Sequence, residues 1–150
     1  MIVLDPVSCV LRKKGSDVWS VHPDATVYDA MKLMADKNVG SVLVIDKDGQ
    51  LVGSLSERDY ARKIILLGRT SKDTLVREIM TEPLITIRPD CSVDEAMRLI
   101  TTSRLRHLPV VLDGNIHGVI SIGDLVQWIS FAQDQTIEQL EHYIEGKYPC

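Results

Sequence analysis

The chain has 150 residues, 45% of them hydrophobic, enough to bury the core of one compact domain or of two small fused ones. A net charge of -4 and a pI near 5.5, with no long Lys/Arg run, exclude a general nucleic-acid binder, and no apolar stretch reaches the roughly 18 residues of a membrane span. Residues 1–11 lack a basic lead and are interrupted by Asp5 and Pro6, so no signal peptide is read there and a cytoplasmic location is the default expectation.

Residues 1–15 read as a lead-in, a short helix around Val7 and Val10-Leu11 that stops at Arg12-Lys13-Lys14-Gly15. Val18-Trp19-Ser20-Val21 predicts a short strand before a break at Pro23-Asp24. Thr26 opens a helix. Thr26-x-x-Asp29 resembles a capping box with Asp in place of Glu, and Val27, Ala30, Met31 and Met34 form a core stripe that should end near Asn38. Val42-Leu43-Val44-Ile45 is the continuous apolar run of a strand buried on both faces, and Asp48-Gly49 turns it into Leu51-Val52.

That second strand runs into Gly53-Ser54-Leu55-Ser56-Glu57-Arg58-Asp59, where a hydroxyl, an arginine and a carboxylate meet the start of a helix. The helix reaches Leu67 with Gly68 at its end, a polar linker covers residues 71–74, and residues 75–80 predict one more helical turn before Pro83. The pattern then returns. Pro23-Asp24 recurs as Pro89-Asp90, 66 positions on, and Val27, Ala30, Met31 and Leu33 recur as Val93, Ala96, Met97 and Leu99. Ser92-x-x-Glu95 is again a capping box. At an offset of 65, Asp48-Gly49 returns as Asp113-Gly114 and the strand-to-helix segment as Gly118-Val119-Ile120-Ser121-Ile122-Gly123-Asp124.

Each repeat reads strand, helix, strand, hairpin, strand, helix. The fold class is therefore α/β (α+β): two βαββα repeats, residues 16–70 and 80–131, packed about a pseudo-two-fold axis because one repeat cannot cover its own sheet. Residues 132–150 add an amphipathic tail helix with Ile137, Leu140 and Ile144 at helical spacing, folded back on the subunit or contributing to a dimer.

The two strand-to-helix segments carry the chemistry. A Ser at the strand's end and an Asp three residues later sit where free backbone N–H groups and the helix dipole favour an anion. A carboxylate can accept from both ribose hydroxyls, while Ser56, Ser121 and Arg58 suit phosphate oxygens, so two sugar-phosphate sites are expected. The plainer alternative is that Asp59 and Asp124 only cap helices and that Arg58 pairs with Glu57 at the surface. His22, His117 and His142 read as surface residues without partners. Cys9, Cys91 and Cys150, widely spaced and with no zinc-ligand pattern, read as reduced thiols, and no metal site is expected. A nucleophile elbow, H-E-x-x-H, a Walker loop and G-x-G-x-x-G are all missing from the sequence, so an enzyme is not expected.

These segments, together with Pro23-Asp24-Ala25-Thr26-Val27, Pro89-Asp90-Cys91-Ser92-Val93 and Arg106-His107-Leu108-Pro109-Val110, resemble a stand-alone tandem pair of cystathionine-β-synthase (CBS) domains across residues 16–131. The resemblance implies a regulatory module holding an adenosine nucleotide (AMP, ADP or ATP) in a cleft between the repeats. NAD, another adenosyl compound, or a ligand-free interaction module are the alternatives. Carried over by position, Asp59 and Asp124 would hold ribose, Ser56, Ser121 and Arg58 would approach phosphate, and Arg106-His107, followed by Pro109, match the family's central basic pair. The first repeat has Gly40-Ser41 at that place, which would serve the base. Asp124 would then share its ligand with Ser20, Val21, Val39, Gly40 and Ser41 and hold it more tightly. Asp59 would face Thr86, Ile87, Leu105 and Arg106. The same resemblance implies a homodimer and an unidentified regulated partner.

Overall fold

A computed structural model describes residues 3–82 and 85–142, with side chains to residue 134. In chain order the elements are α1 (Val7–Lys14), β1 (Ser20–Val21), α2 (Val27–Lys37), β2 (Ser41–Ile45), β3 (Leu51–Ser56), α3 (Glu57–Tyr60) continuing as a π-helical turn (Ala61–Ile65), α4 (Val76–Ile79), α5 (Val93–Ser103), β4 (His107–Leu112), β5 (Asn115–Ser121) and α6 (Ile122–His142). They form two compact α+β units, one of residues 18–84 and one of residues 1–17 with 85–150.

In the unit of residues 18–84 the sheet order is β1-β2-β3, with β1 parallel and β3 antiparallel to β2. Val42, Leu43 and Val44 are buried, as their unbroken apolar run requires. Val27, Ala30 and Met34 of α2 pack with Leu55, Ile64, Val76 and Ile79. Thr26 Oγ1 starts α2 by accepting from Asp29 N–H at 3.1 Å, and Asn38 ends it in the left-handed conformation, φ 54°. In the other unit β4 and β5 form a hairpin about Asp113-Gly114, both at positive φ (52° and 79°), the geometry a two-residue turn demands. Here the strand equivalent to β1 shrinks to a single parallel bridge between Ile87 and Val110. Val93, Ala96, Ile100, Leu108, Val110, Ile120, Leu125 and Trp128 make the core.

Several expectations are corrected. The capping boxes at Thr26 and Ser92 form only their hydroxyl half: Ser92 Oγ accepts from Glu95 N–H at 3.1 Å, while the Glu95 carboxylate lies 3.8 Å from Cys91 Sγ. His22 has a partner, its Nδ1 accepting from Asp24 N–H at 3.0 Å. Cys9 is disulfide-bonded, Cys91 is a free thiol, and Cys150 lies outside the described residues. The tail is not a separate helix: α6 runs unbroken from Ile122 to His142, because after Gly123 it contains neither Gly nor Pro. Of the tail stripe, Ile137 and Leu140 have no described side chains and Ile144 lies outside the described residues.

The largest correction concerns the N-terminus, expected as a lead-in. Val3, Val7, Cys9, Val10 and Leu11 belong to the core of α5, β4, β5 and α6. The backbone is stitched there too, with Val7 N–H to Cys91 O (2.8 Å), Ser8 N–H to Pro89 O (3.0 Å) and Val93 N–H to Asp5 O (2.8 Å). The segment at α4 makes the same set on the other unit: Val76 N–H to Ala25 O (2.8 Å), Arg77 N–H to Pro23 O (2.9 Å) and Val27 N–H to Thr74 O (2.9 Å). Val7 and Val76 stand 69 positions apart. α1 and α4 are thus equivalent, and each precedes one repeat in sequence while packing on the other.

Candidate functional site

The first strand-to-helix junction closes on itself. Ser56 N–H donates to Asp59 Oδ2 at 3.0 Å and Asp59 N–H donates to Ser56 Oγ at 3.2 Å, a reciprocal cap with Asp in the usual Glu position. The other carboxylate oxygen, Oδ1, accepts from Thr81 Oγ1 at 2.9 Å and lies 3.3 Å from Lys63 Nζ, one helical turn on. Asp59 is 9% exposed. Both of its oxygens are spent on the protein.

The second junction has the same cap and a different remainder. Ser121 N–H donates to Asp124 Oδ2 at 2.8 Å and Asp124 N–H to Ser121 Oγ at 3.1 Å. The Lys14 ammonium at the end of α1 donates to that same Oδ2 at 2.6 Å and to Val119 O at 2.7 Å. Among the described residues nothing hydrogen-bonds to Asp124 Oδ1. Burial favours the neutral acid, but Lys14 and the Ser121 N–H outweigh it and hold the carboxyl below its ordinary 3.8. His107 sits opposite Ser121 in the β4–β5 ladder, and the Arg106 carbonyl accepts from Ile122 N–H at 3.0 Å. Burial first, then the Lys14 charge, keeps the His107 pKa below 6.5, with Asp124 pulling the other way and Arg106 adding to the depression. A carboxylate with one open oxygen near the His107 imidazole, itself within the field of Arg106, suits a ligand that offers hydroxyls and an anion.

The remaining predicted residues divide. Ser20 and Val21 are β1, Val39 N–H caps α2 on Met34 O at 3.0 Å, and Ser41 faces Ser56 across the sheet. Gly40 O accepts from Glu57 N–H at 3.0 Å, and the Glu57 carboxylate comes within 3.7 Å of where a Gly40 Cβ would stand, so Glu57 lies by Gly40, and no Glu57–Arg58 ion pair forms among the described residues. Arg58 and Thr86 are exposed and Leu105 is half-buried. Ile87 and Pro109 are buried, the Ile87 N–H donating to Pro109 O at 3.0 Å, which commits both to packing. Sequence reasoning missed Lys63, Thr81 and Lys14. Lys63 was legible as the i+4 partner of Asp59. Lys14 and Thr81 arrive on the segments that cross between repeats, and no local spacing in the sequence ties either to its aspartate.

Among the described residues no helix is long and apolar enough to cross a membrane, and no three metal-ligating side chains gather. Residues 7–66 and 76–131 match the CBS domain. The chain is 42% identical over 151 residues to the mitochondrial CBS domain-containing protein CBSX3 of Arabidopsis thaliana, spanning 95% of this chain and 73% of that one. It is 34% identical to the CBS domain-containing protein YhcV of Bacillus subtilis, over 79% of this chain and 84% of that one. A crystal structure of a CBS domain with 46% identity matches at a TM-score of 0.78, covering 82% of this chain and 95% of its own. CBS domains generally bind adenosine ligands and serve regulatory roles, and stand-alone members are generally not catalytic. With both repeats matched and both aspartates in the same strand-to-helix setting, the chain belongs to the CBS domain family.

Proposed function

We propose that the protein is a regulatory module that binds an adenosine nucleotide, AMP, ADP or ATP, and through it modulates a partner in response to energy state. The observation that carries this reading is the open Oδ1 of Asp124, ionised and neighboured by Lys14 and His107, at a helix N-terminus. Ribose hydroxyls would take the carboxylate, and phosphate would take Arg106 and His107. The Asp59 cap supports a weaker site, because its oxygens already have partners. CBS domain proteins often form oligomers, and the exposed run Ile65, Leu66 and Leu67 supports a homodimer. The cytoplasm is the proposed compartment, with the organelle named for the plant relative as the rival that cell fractionation separates.

Thermal melts with AMP, ADP, ATP and NAD, against guanosine nucleotides, test the reading. A ligand at about a hundred times its Kd adds roughly 2.7 kcal/mol, a rise of several degrees in Tm. A melt unmoved by every adenosine compound at millimolar concentration refutes nucleotide sensing and leaves a ligand-free interaction module. Mass spectrometry of compounds that co-purify with the protein distinguishes AMP, ADP and ATP from NAD.

A further inference from the structure

A carboxylate offers about four lone-pair positions, two on each oxygen. At Asp124 both positions of Oδ2 are filled by this chain, one by Ser121 N–H at 2.8 Å and one by Lys14 Nζ at 2.6 Å. The first bond is the helix cap and is kept as long as α6 begins where it does. The second comes from a long side chain at the last turn of α1, 39% exposed and free to swing away. A ligand that offers one hydroxyl can use Oδ1 and leave Lys14 in place. A vicinal diol that chelates the carboxylate needs one position on each oxygen, and the position it lacks is the one Lys14 holds.

We propose that Lys14 is a tethered competitor for Asp124, an ammonium carried on α1 that a diol-bearing ligand must displace. The proposal rests on the nucleotide reading above and adds its regulation: occupancy of the site is coupled to where the end of α1 sits. The Lys14 ammonium also donates to Val119 O at 2.7 Å, so displacing it gives up two bonds at once, both near the surface where water can replace them. At Asp59 the corresponding crossing segment brings Thr81 Oγ1 to Oδ1 at 2.9 Å, a shorter side chain on a backbone paired to Ser54, which cannot swing out in the same way. The competitor is therefore removable at one site and fixed at the other.

Titration calorimetry with AMP and with 2′-deoxy-AMP, on the full chain and on Lys14→Met, Lys14→Gln and Lys14→Arg, tests the idea. Removing the ammonium should tighten AMP binding about fivefold, the worth of an exposed ion pair, and tighten 2′-deoxy-AMP less, because that ligand has no diol to chelate. Lys14→Arg keeps a cation there and should bind AMP no more tightly than the unaltered protein. Equal AMP affinity in the unaltered, Met and Gln proteins overturns the proposal and leaves nucleotide binding standing. Weaker AMP binding in the Met and Gln proteins also overturns it, since Lys14 would then be a ligand contact. Equal gains for the two ligands overturn the competition for the diol. If neither the unaltered protein nor any variant binds AMP, ADP or ATP, the nucleotide reading and this proposal fall together.

Discussion

Leu11 Cδ2 lies 2.7 Å from the point where a Cβ on Gly118 would stand, closer than real Cβ contacts come. The relation is repeated in the other unit, where Met80 Sδ lies 2.9 Å from the corresponding point on Gly53. The glycine of each strand-to-helix segment is therefore small because an apolar side chain from the crossing segment presses on the strand. At Gly118 φ is 156°, which adds backbone strain to any substitution. Gly118→Ala should cost about 1–3 kcal/mol in urea unfolding. Coupled with Leu11→Val, which withdraws the offending methyl, the loss should be smaller than the two single losses added. Strict additivity would show that the two residues do not touch.

Much of this architecture was legible because its causes are local. Thr26, Ser92 and Asn38 bound their helices through their own side chains and backbone, and Asp113-Gly114 can adopt the turn that its two positive φ values require. The internal offset of 66 then placed the second repeat. What was not legible is non-local. Val7, Val10 and Leu11 announce a helix, but nothing in their spacing says that its partner is α6, over a hundred residues on. The same gap hid Lys14 from the reading of Asp124 and Thr81 from that of Asp59, so the two junctions looked alike when one is closed and the other open.

His107 and Asp124 set an acid limit on stability. Burial and Lys14 lower the His107 pKa, so on acidification the unfolded chain takes up a proton near pH 6.5 before the folded protein does. The contribution is intact above about pH 6.5 and is lost as pH falls toward the folded value. Asp124, also lowered, adds a second loss below its ordinary 3.8. Urea midpoints should fall from pH 7.5 to 5.5, and His107→Asn should flatten that slope. An unchanged slope in the variant would assign the pH dependence to other groups.

Asp59→Ala and Asp124→Ala should separate stability from binding. Asp59 is buried and holds Ser56, Thr81 and Lys63, so its loss should cost roughly 1.5–3 kcal/mol of folding stability for the charged hydrogen bonds and leave nucleotide affinity nearly unchanged. Asp124→Ala should weaken AMP binding by about tenfold or more while costing the fold less. Melting curves and calorimetry on both proteins are sufficient. Equal losses of affinity would mean that the closed Asp59 cap opens for ligand as readily as Asp124 receives it.

Removal of residues 1–14 is the sharpest test of where the N-terminal segment belongs. A dispensable lead-in would leave the melt unchanged. In this fold the cut takes Val3, Val7, Cys9, Val10 and Leu11 out of the core, and even four such side chains at about 1.5–3 kcal/mol each amount to roughly 6–12 kcal/mol. That is the whole stability of a typical domain, so the unit containing α5, β4, β5 and α6 should not hold its native packing. Trp128 reports the outcome directly: it is 4% exposed, and its Nε1 donates to Asp5 Oδ2 at 3.0 Å. Lys13 lies 3.6 Å from the centre of the neighbouring Phe131 ring. The deletion strips both contacts and should shift Trp128 emission to the red. Trp19, already 36% exposed and packed in the unit that keeps α4, should change little. A truncated chain with the original Tm and a blue, buried Trp128 signal would show that α1 only rests on the surface of its unit.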